Sequence, residues 1–230
     1  MNKLKLVSGI IIILIFMGDI AYAQDWANLE RFREENAELG PPAQGEKRIV
    51  FMGNSITEGW SQHSPSFFEV KPYINRGISG QTTPQMLLRF RADVINLEPE
   101  VVVILAGTND IAGNTGPSSL EMIMDNLISM AELAKANDIK VILCSVLPAY
   151  DYPWRPGLNP DEKIPALNEM IKTCAGQNGL IYLDYFSSMV DDNNGMKDEY
   201  TYDGVHPNEA GYRVMEPLVE KAIGMALKKK

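Results

Sequence analysis

The chain has 230 residues, 45% of them hydrophobic and 22% charged, and a formal net charge of −9. A body of that size suits one α/β domain that buries about 70% of its unfolded surface. Its acidity excludes nucleic acid and anionic membrane surfaces as partners, through charge repulsion.

The opening "MNKLKLVSGIIIILIFMGDIAYAQ" places Lys3 and Lys5 ahead of an apolar run from Val7 to Met17, followed by Ala21-Tyr22-Ala23. That is the layout of a cleavable secretory signal peptide over residues 1–23. The apolar run is about 11 residues long, where a membrane span needs roughly 20. No cysteine stands just after it, which argues against a lipid anchor. Cleavage removes a net charge of +1 and leaves a body at −10, expected to be secreted or periplasmic. Residues 24–46 are polar, contain Pro41-Pro42 and read as a lead-in with a short helix around 26–38. Residues 47–230 then form one domain.

Short, continuous apolar runs follow at 48–53, 101–107, 140–146 and 180–184, with a weaker fifth at 70–75. Continuous rather than alternating runs are what strands covered on both faces require. Between them, residues 83–97 place Met86, Leu87, Phe90, Val94 and Leu97 at helical spacing. A helix over 118–137 opens with a Ser118-x-x-Glu121 capping box. Another opens with Asn159 as cap and Pro160 in its first turn. The last runs from about 208 to 227, ahead of the terminal Lys228-Lys229-Lys230, which reads as a solvated helix end. Strand and helix alternate with short links, so a parallel sheet with helices on both faces follows. Of the two cysteines, Cys144 sits in an apolar run and Cys174 in a helical stretch. An oxidising compartment permits a disulfide, but two buried thiols are the expected state. Neither has zinc-ligand spacing.

In such a sheet the site forms beyond the carboxyl ends of the strands. The segments there are "GNSITEGW" (53–60), "NRGISGQTT" (75–83), "GTND" (107–110) and "DGVHPN" (203–208). Ser55 is a weak nucleophile that needs a base. The chain has two histidines, His63 in a polar, solvated turn and His206 three residues after Asp203. Asp203 can orient one imidazole nitrogen and leave the other to Ser55. Pro207 disfavours helical backbone at His206 and puts it at a bend before the last helix. Oxyanion donors are available from the Ser55 N–H near a helix start, from Gly80, which has no side chain to block approach, and from the Asn109 amide.

These four blocks resemble, in order, those of the SGNH (GDSL-type) hydrolases, over about residues 48–225. The resemblance implies a flavodoxin-like three-layer α/β/α sandwich with a five-stranded parallel sheet. It also implies Ser55 as nucleophile, His206 as base, Asp203 as its partner, and Ser55, Gly80 and Asn109 as the oxyanion hole. Asn54 stands where the family name has aspartate, outside the catalytic set. Each block taken singly also reads as a turn or a cap.

Four rival readings fit less well. A metal centre from Asp110, Asp184, Asp203 and His206 lacks the histidines that binuclear phosphatases use. No Gly-Lys-Ser/Thr follows the glycine to make a P-loop. The α/β-hydrolase elbow needs glycine where Thr57 stands. A non-catalytic glycan-binding protein on this scaffold would not need the complete serine, aspartate and histidine set. The expected function is therefore serine esterase action on short acyl esters, acetyl on carbohydrate first, with a lysophospholipase or acyl-thioesterase as the alternative. No metal or organic cofactor is called for. The expected partner is a soluble ester substrate, with no nucleic acid and no lasting membrane association. Tyr150, Tyr152 and Trp154, in the loop beyond the fourth strand, are candidates either to stack on a sugar ring or wall an acyl pocket, or to pack over the sheet edge. The acidic stretch 191–200 reads as mobile and a poor apolar lid.

Overall fold

In the strands, successive side chains point to opposite faces, and here both faces are apolar. Val50, Met52, Val102, Ile104, Val141 and Leu143 enter one core. Ile49, Phe51, Val101, Val103, Leu105, Ile142 and Cys144 enter the other. This period of two, apolar at every step, is why the runs read as continuous. The computed structural model describes residues 25–228. The expected signal peptide and its cleavage site lie outside the described residues.

In chain order the elements are α1 (Arg33–Leu39), β1 (Ile49–Gly53), α2 (Ser55–His63), α3 (Pro65–Glu69), β2 (Tyr73–Gly77) and α4 (Thr83–Asp93). Then come β3 (Val101–Leu105), α5 (Thr108–Ile111), α6 (Leu120–Lys135), β4 (Lys140–Cys144) and α7 (Pro160–Gln177). β5 (Ile181–Leu183), α8 (Phe186–Met189) and α9 (Glu209–Lys228) complete the fold. The five strands are parallel, in the order β2-β1-β3-β4-β5. That is the flavodoxin-like order, which reverses direction between β1 and β3 and opens a crevice there. α4, α6 and α7 cover one face of the sheet. α2, α3 and α9 cover the other.

Several local expectations shift. The weak strand at 70–75 is instead β2 at Tyr73–Gly77, and Val70 is exposed. Its polar residues are tolerated because β2 is an edge strand whose side chains find partners: Asn75 Nδ2 donates to Thr57 O, and Arg76 donates to Asn36 Oδ1. The cap of α6 is Ser119, not Ser118; its Oγ accepts from Met122 N at 3.3 Å. Asn159 occupies the N-cap position of α7 but adopts left-handed backbone and makes no side-chain cap. The lead-in helix is shorter than expected and starts later, as α1. The stretch after α8 is pinned rather than loose: Asp191 Oδ1 accepts from Asn193 N and Gly195 N, and Met196 is buried. Cys144 and Cys174 are free buried thiols. They belong to the cores on opposite faces of the sheet, so a bond between them would have to pass through it.

Candidate active site

Ser55 is the first residue of α2, directly off the end of β1. The helix is capped by its neighbour: Asn54 Oδ1 accepts from Ile56 N at 3.1 Å. The capping role that would make Ser55 unremarkable is therefore already filled, and the serine hydroxyl is left for other use. Its Oγ lies 2.9 Å from His206 Nε2. α2 reaches this position because Gly77, at the end of β2, leaves room for it; a Cβ there would lie 2.1 Å from Glu58 N.

His206 is held from the far side by a turn built around Asp203. Asp203 Oδ2 lies 2.7 Å from His206 Nδ1, while its Oδ1 accepts from the backbone N–H groups of Val205 and His206 at 3.0 and 2.7 Å. Thr201 Oγ1 donates to His206 O at 2.7 Å. Partial burial acts to raise the Asp203 pKa, but the hydrogen bonds from the His206 backbone and ring and from Val205 outweigh it and hold the carboxyl below its ordinary range. An ionised Asp203 accepts a hydrogen bond from Nδ1–H, which keeps the ring proton on Nδ1 and leaves Nε2 bare, facing the serine hydroxyl.

The other side of Ser55 carries hydrogen-bond donors. Residues 78–81 form a tight turn closed by Gln81 N to Ile78 O at 3.3 Å, with Gly80 at φ +77°. That backbone conformation is one glycine adopts without strain. Among the described residues, the N–H groups of Ser55 and Gly80 have no protein acceptor. Asn109, on α5, is buried and donates one amide hydrogen to Gln81 O at 3.0 Å, which leaves its second hydrogen unspent. Gly80 is exposed and Ser55 part-buried, so their N–H groups open at the rim beside the buried Asn109 amide, where a ligand oxygen can accept from all three.

The aromatic candidates separate. Trp154 is exposed, with its ring centre 5.9 Å from that of His206. Tyr150 is also exposed. Tyr152 is fully buried: its hydroxyl donates to Thr108 O at 3.0 Å and pairs with Thr108 Oγ1 at 2.9 Å, and its ring lies beneath Trp154 at 5.2 Å. It steadies the start of α5, one residue before Asn109, and its ring does not reach the rim. Sequence reasoning missed Tyr202, an exposed ring stacked on His206 at 5.8 Å and 10°. Its place directly before Asp203 was the available signal. His63 is exposed as expected, though its ring stacks on Tyr212 at 5.6 Å.

The carboxylates of the rival metal reading have separate duties. Asp184 accepts from Ser187 N and Oγ at the start of α8. Asp110 is buried and accepts from Thr83 N and Oγ1 at the start of α4. Burial pushes its pKa up to about 6, against the pull of the Thr83 hydrogen bonds.

A doubly wound parallel sheet with a Ser–His–Asp line at its reversal point, flanked by unspent donors, has the architecture of a serine acylhydrolase. The chain belongs to the GDSL-like lipase/acylhydrolase family, whose family model matches residues 51–214. It is similar to the crystal structure of a GDSL-like lipase from Bacteroides thetaiotaomicron, with 52% identity and a TM-score of 0.85 over 87% of this chain and 98% of that one. Esterase TesA of Pseudomonas aeruginosa is 32% identical over 71% of this chain and 77% of its own length. An acetylxylan esterase of Xylanibacter ruminicola is 27% identical over 79% of this chain. The chain spans about half the length of some curated relatives it matches, and 44% of that esterase.

Proposed function

We propose that this protein is an exported serine esterase that removes short acyl groups, acetyl first, from carbohydrate esters. One observation carries the reading: Ser55, His206 and Asp203 are joined by hydrogen bonds of 2.9 and 2.7 Å, although Ser55 and His206 are 151 residues apart in sequence.

The chemistry follows from the line. Ser55 Oγ attacks the ester carbonyl carbon as its proton moves to His206 Nε2. The carbonyl oxygen becomes an oxyanion and takes up the unspent hydrogens of Ser55 N, Gly80 N and Asn109 Nδ2. Collapse breaks the bond to the alcohol, which leaves with the proton from His206. Water then attacks the acyl-serine, gives its proton to Nε2, and the acid departs as Ser55 is regenerated. Throughout, Asp203 stabilises the transient imidazolium.

A soluble sugar ester as substrate is supported by the surroundings. Trp154 and Tyr202 offer exposed aromatic faces beside His206. A cleft of about 610 Å³ lies beside Gly204, walled by Tyr150, Asp151, Asp191 and Asp198 with no lysine or arginine in its lining. Such a surface suits neutral polyols and opposes anionic lipid headgroups. Similarity to an acetylxylan esterase points the same way. The export signal read at residues 1–23 would bring the enzyme to extracellular or periplasmic glycans.

Two measurements test the reading. Ser55→Ala should abolish hydrolysis of p-nitrophenyl acetate with the circular dichroism spectrum unchanged; retained turnover would move the nucleophile elsewhere. Across p-nitrophenyl esters from acetate to palmitate, kcat/KM should fall with chain length. A preference for palmitate would replace the acetylesterase assignment with a lysophospholipase or thioesterase one.

A further inference from the structure

We infer that Gln81 and Arg89 are positioning residues that set the geometry of the oxyanion hole, Arg89 from beneath it and Gln81 from within the turn that carries it. The inference rests on the reading of Ser55, Gly80 and Asn109 given above.

Arg89 lies on α4 and is fully buried. Its guanidinium makes four hydrogen bonds, each to a different residue. Nη2 donates to Gly53 O at 3.0 Å and to Arg76 O at 2.9 Å, Nε donates to Gln81 Oε1 at 2.6 Å, and Nη1 pairs with Asp93 Oδ2 at 3.0 Å. Gly53 ends β1 two residues before Ser55, and Arg76 lies in β2 four residues before Gly80. One rigid planar group thus fixes the spacing between the strand that delivers the nucleophile and the strand that delivers the Gly80 turn. Burying a charge is costly even when it is paired. Lysine, with a single point charge, could not satisfy this fork of acceptors.

Gln81 carries the tie from Arg89 up to the donors. Its backbone oxygen accepts from Asn109 Nδ2, the proposed third donor. Its side-chain oxygen accepts from Arg89, and its side-chain nitrogen donates to Ala27 O at 2.7 Å. One residue therefore orients Asn109, closes the turn that presents Gly80, and anchors both to Arg89 and to the segment ahead of α1. Glu58 and Asn114 grip the same turn at Ser79 N and Gly80 O. Gln81 is the member whose side chain reaches the buried charge.

Catalysis by preorganised donors is sensitive to displacements well under an ångström, while ground-state binding of a small ester is not. Gln81→Met keeps the volume and removes both side-chain hydrogen bonds. It should lower kcat on p-nitrophenyl acetate about 10- to 100-fold with KM within about threefold of wild type. Gln81→Glu keeps the acceptor for Arg89 and should recover most of that loss. Rates are taken per folded protein, well below each variant's melting temperature, so lost stability does not count as lost catalysis. Arg89→Lys should show the same kcat-selective loss; if it does not fold, the Gln81 pair decides alone. A Gln81→Met enzyme with kcat within about threefold of wild type, or one that loses activity through KM, would overturn the inference. Ser55→Ala in parallel reports on the nucleophile alone, so a failure of that reading is visible separately.

Discussion

The two turns that flank Ser55 are built in opposite ways. The turn of residues 201–207 supports its histidine with bonds that stay within a few residues: Asp203 to Val205 and His206, Thr201 to Gly204 and to the His206 carbonyl. It is half-exposed, with Val205 set into the core, and its polar support is local. The turn of residues 78–81 has almost no local support beyond its own closing bond. Its partners are Ala27, Gly53, Glu58, Arg89, Asn109 and Asn114, drawn from the lead-in, β1, α2, α4, α5 and the loop after α5. Under the proposed mechanism the base is carried by a short motif on the surface, where it can move protons. The donors depend on a fixed position relative to the serine and are tied to buried structure. A catalytic site of this kind divides its tolerance for motion between its two sides.

Breaking the local turn should have the larger effect. Asp203→Asn keeps a side-chain acceptor but presents an amide N–H₂ to Nδ1. That favours the tautomer with a proton on Nε2, which cannot accept from Ser55. A loss of about 10²- to 10⁴-fold in kcat is expected from steady-state kinetics, with the melting temperature little changed. Next comes the far side. Asn109→Ala removes one donor and the bond to Gln81 O, and should lower kcat by about 10²- to 10³-fold with a smaller effect on KM.

The smallest expected effect is on stability and sharpens the contrast between two carboxylates. Asp203 is held below its ordinary range by its hydrogen bonds, so its share of stability is present at neutral pH and is lost as pH falls through its folded-state value. Asp110 is pushed up to about 6 by burial. The folded state therefore holds a proton that the unfolded state releases, and stability drops as pH rises from about 4 to about 6. The gap corresponds to roughly 3 kcal/mol. Asp110→Asn should lack that slope, so denaturant unfolding at pH 4 and pH 7 should show the variant gaining on wild type at the higher pH. Parallel slopes would mean that Asp110 titrates alike in the folded and unfolded states, with no upward shift from burial.

What was legible in the sequence follows the same division. The base turn could be read because its logic is local: Asp203, His206 and Pro207 lie within five residues. The sheet could be read because buried parallel strands are continuous apolar runs, and its topology brings Ser55 to His206. β2 was misplaced because an edge strand can carry Asn75 and Arg76 once other elements supply their partners. Arg89 and Gln81 gave no signal. A buried arginine on a helix looks like any surface arginine until its acceptors, on β1, on β2 and in the turn, are brought to it by the fold. Tyr152 and Trp154, two residues apart, could not be told apart either, because loop packing alone decided which ring is exposed beside His206.

The most direct test of the central claim is chemical labelling of the serine. Incubation with an activated alkyl phosphonate ester, followed by peptide mass spectrometry, should show one equivalent of adduct on the peptide that holds Ser55, at a rate that collapses in His206→Ala. An unlabelled Ser55 in protein that still hydrolyses p-nitrophenyl acetate, or an equal labelling rate without the imidazole, would contradict it.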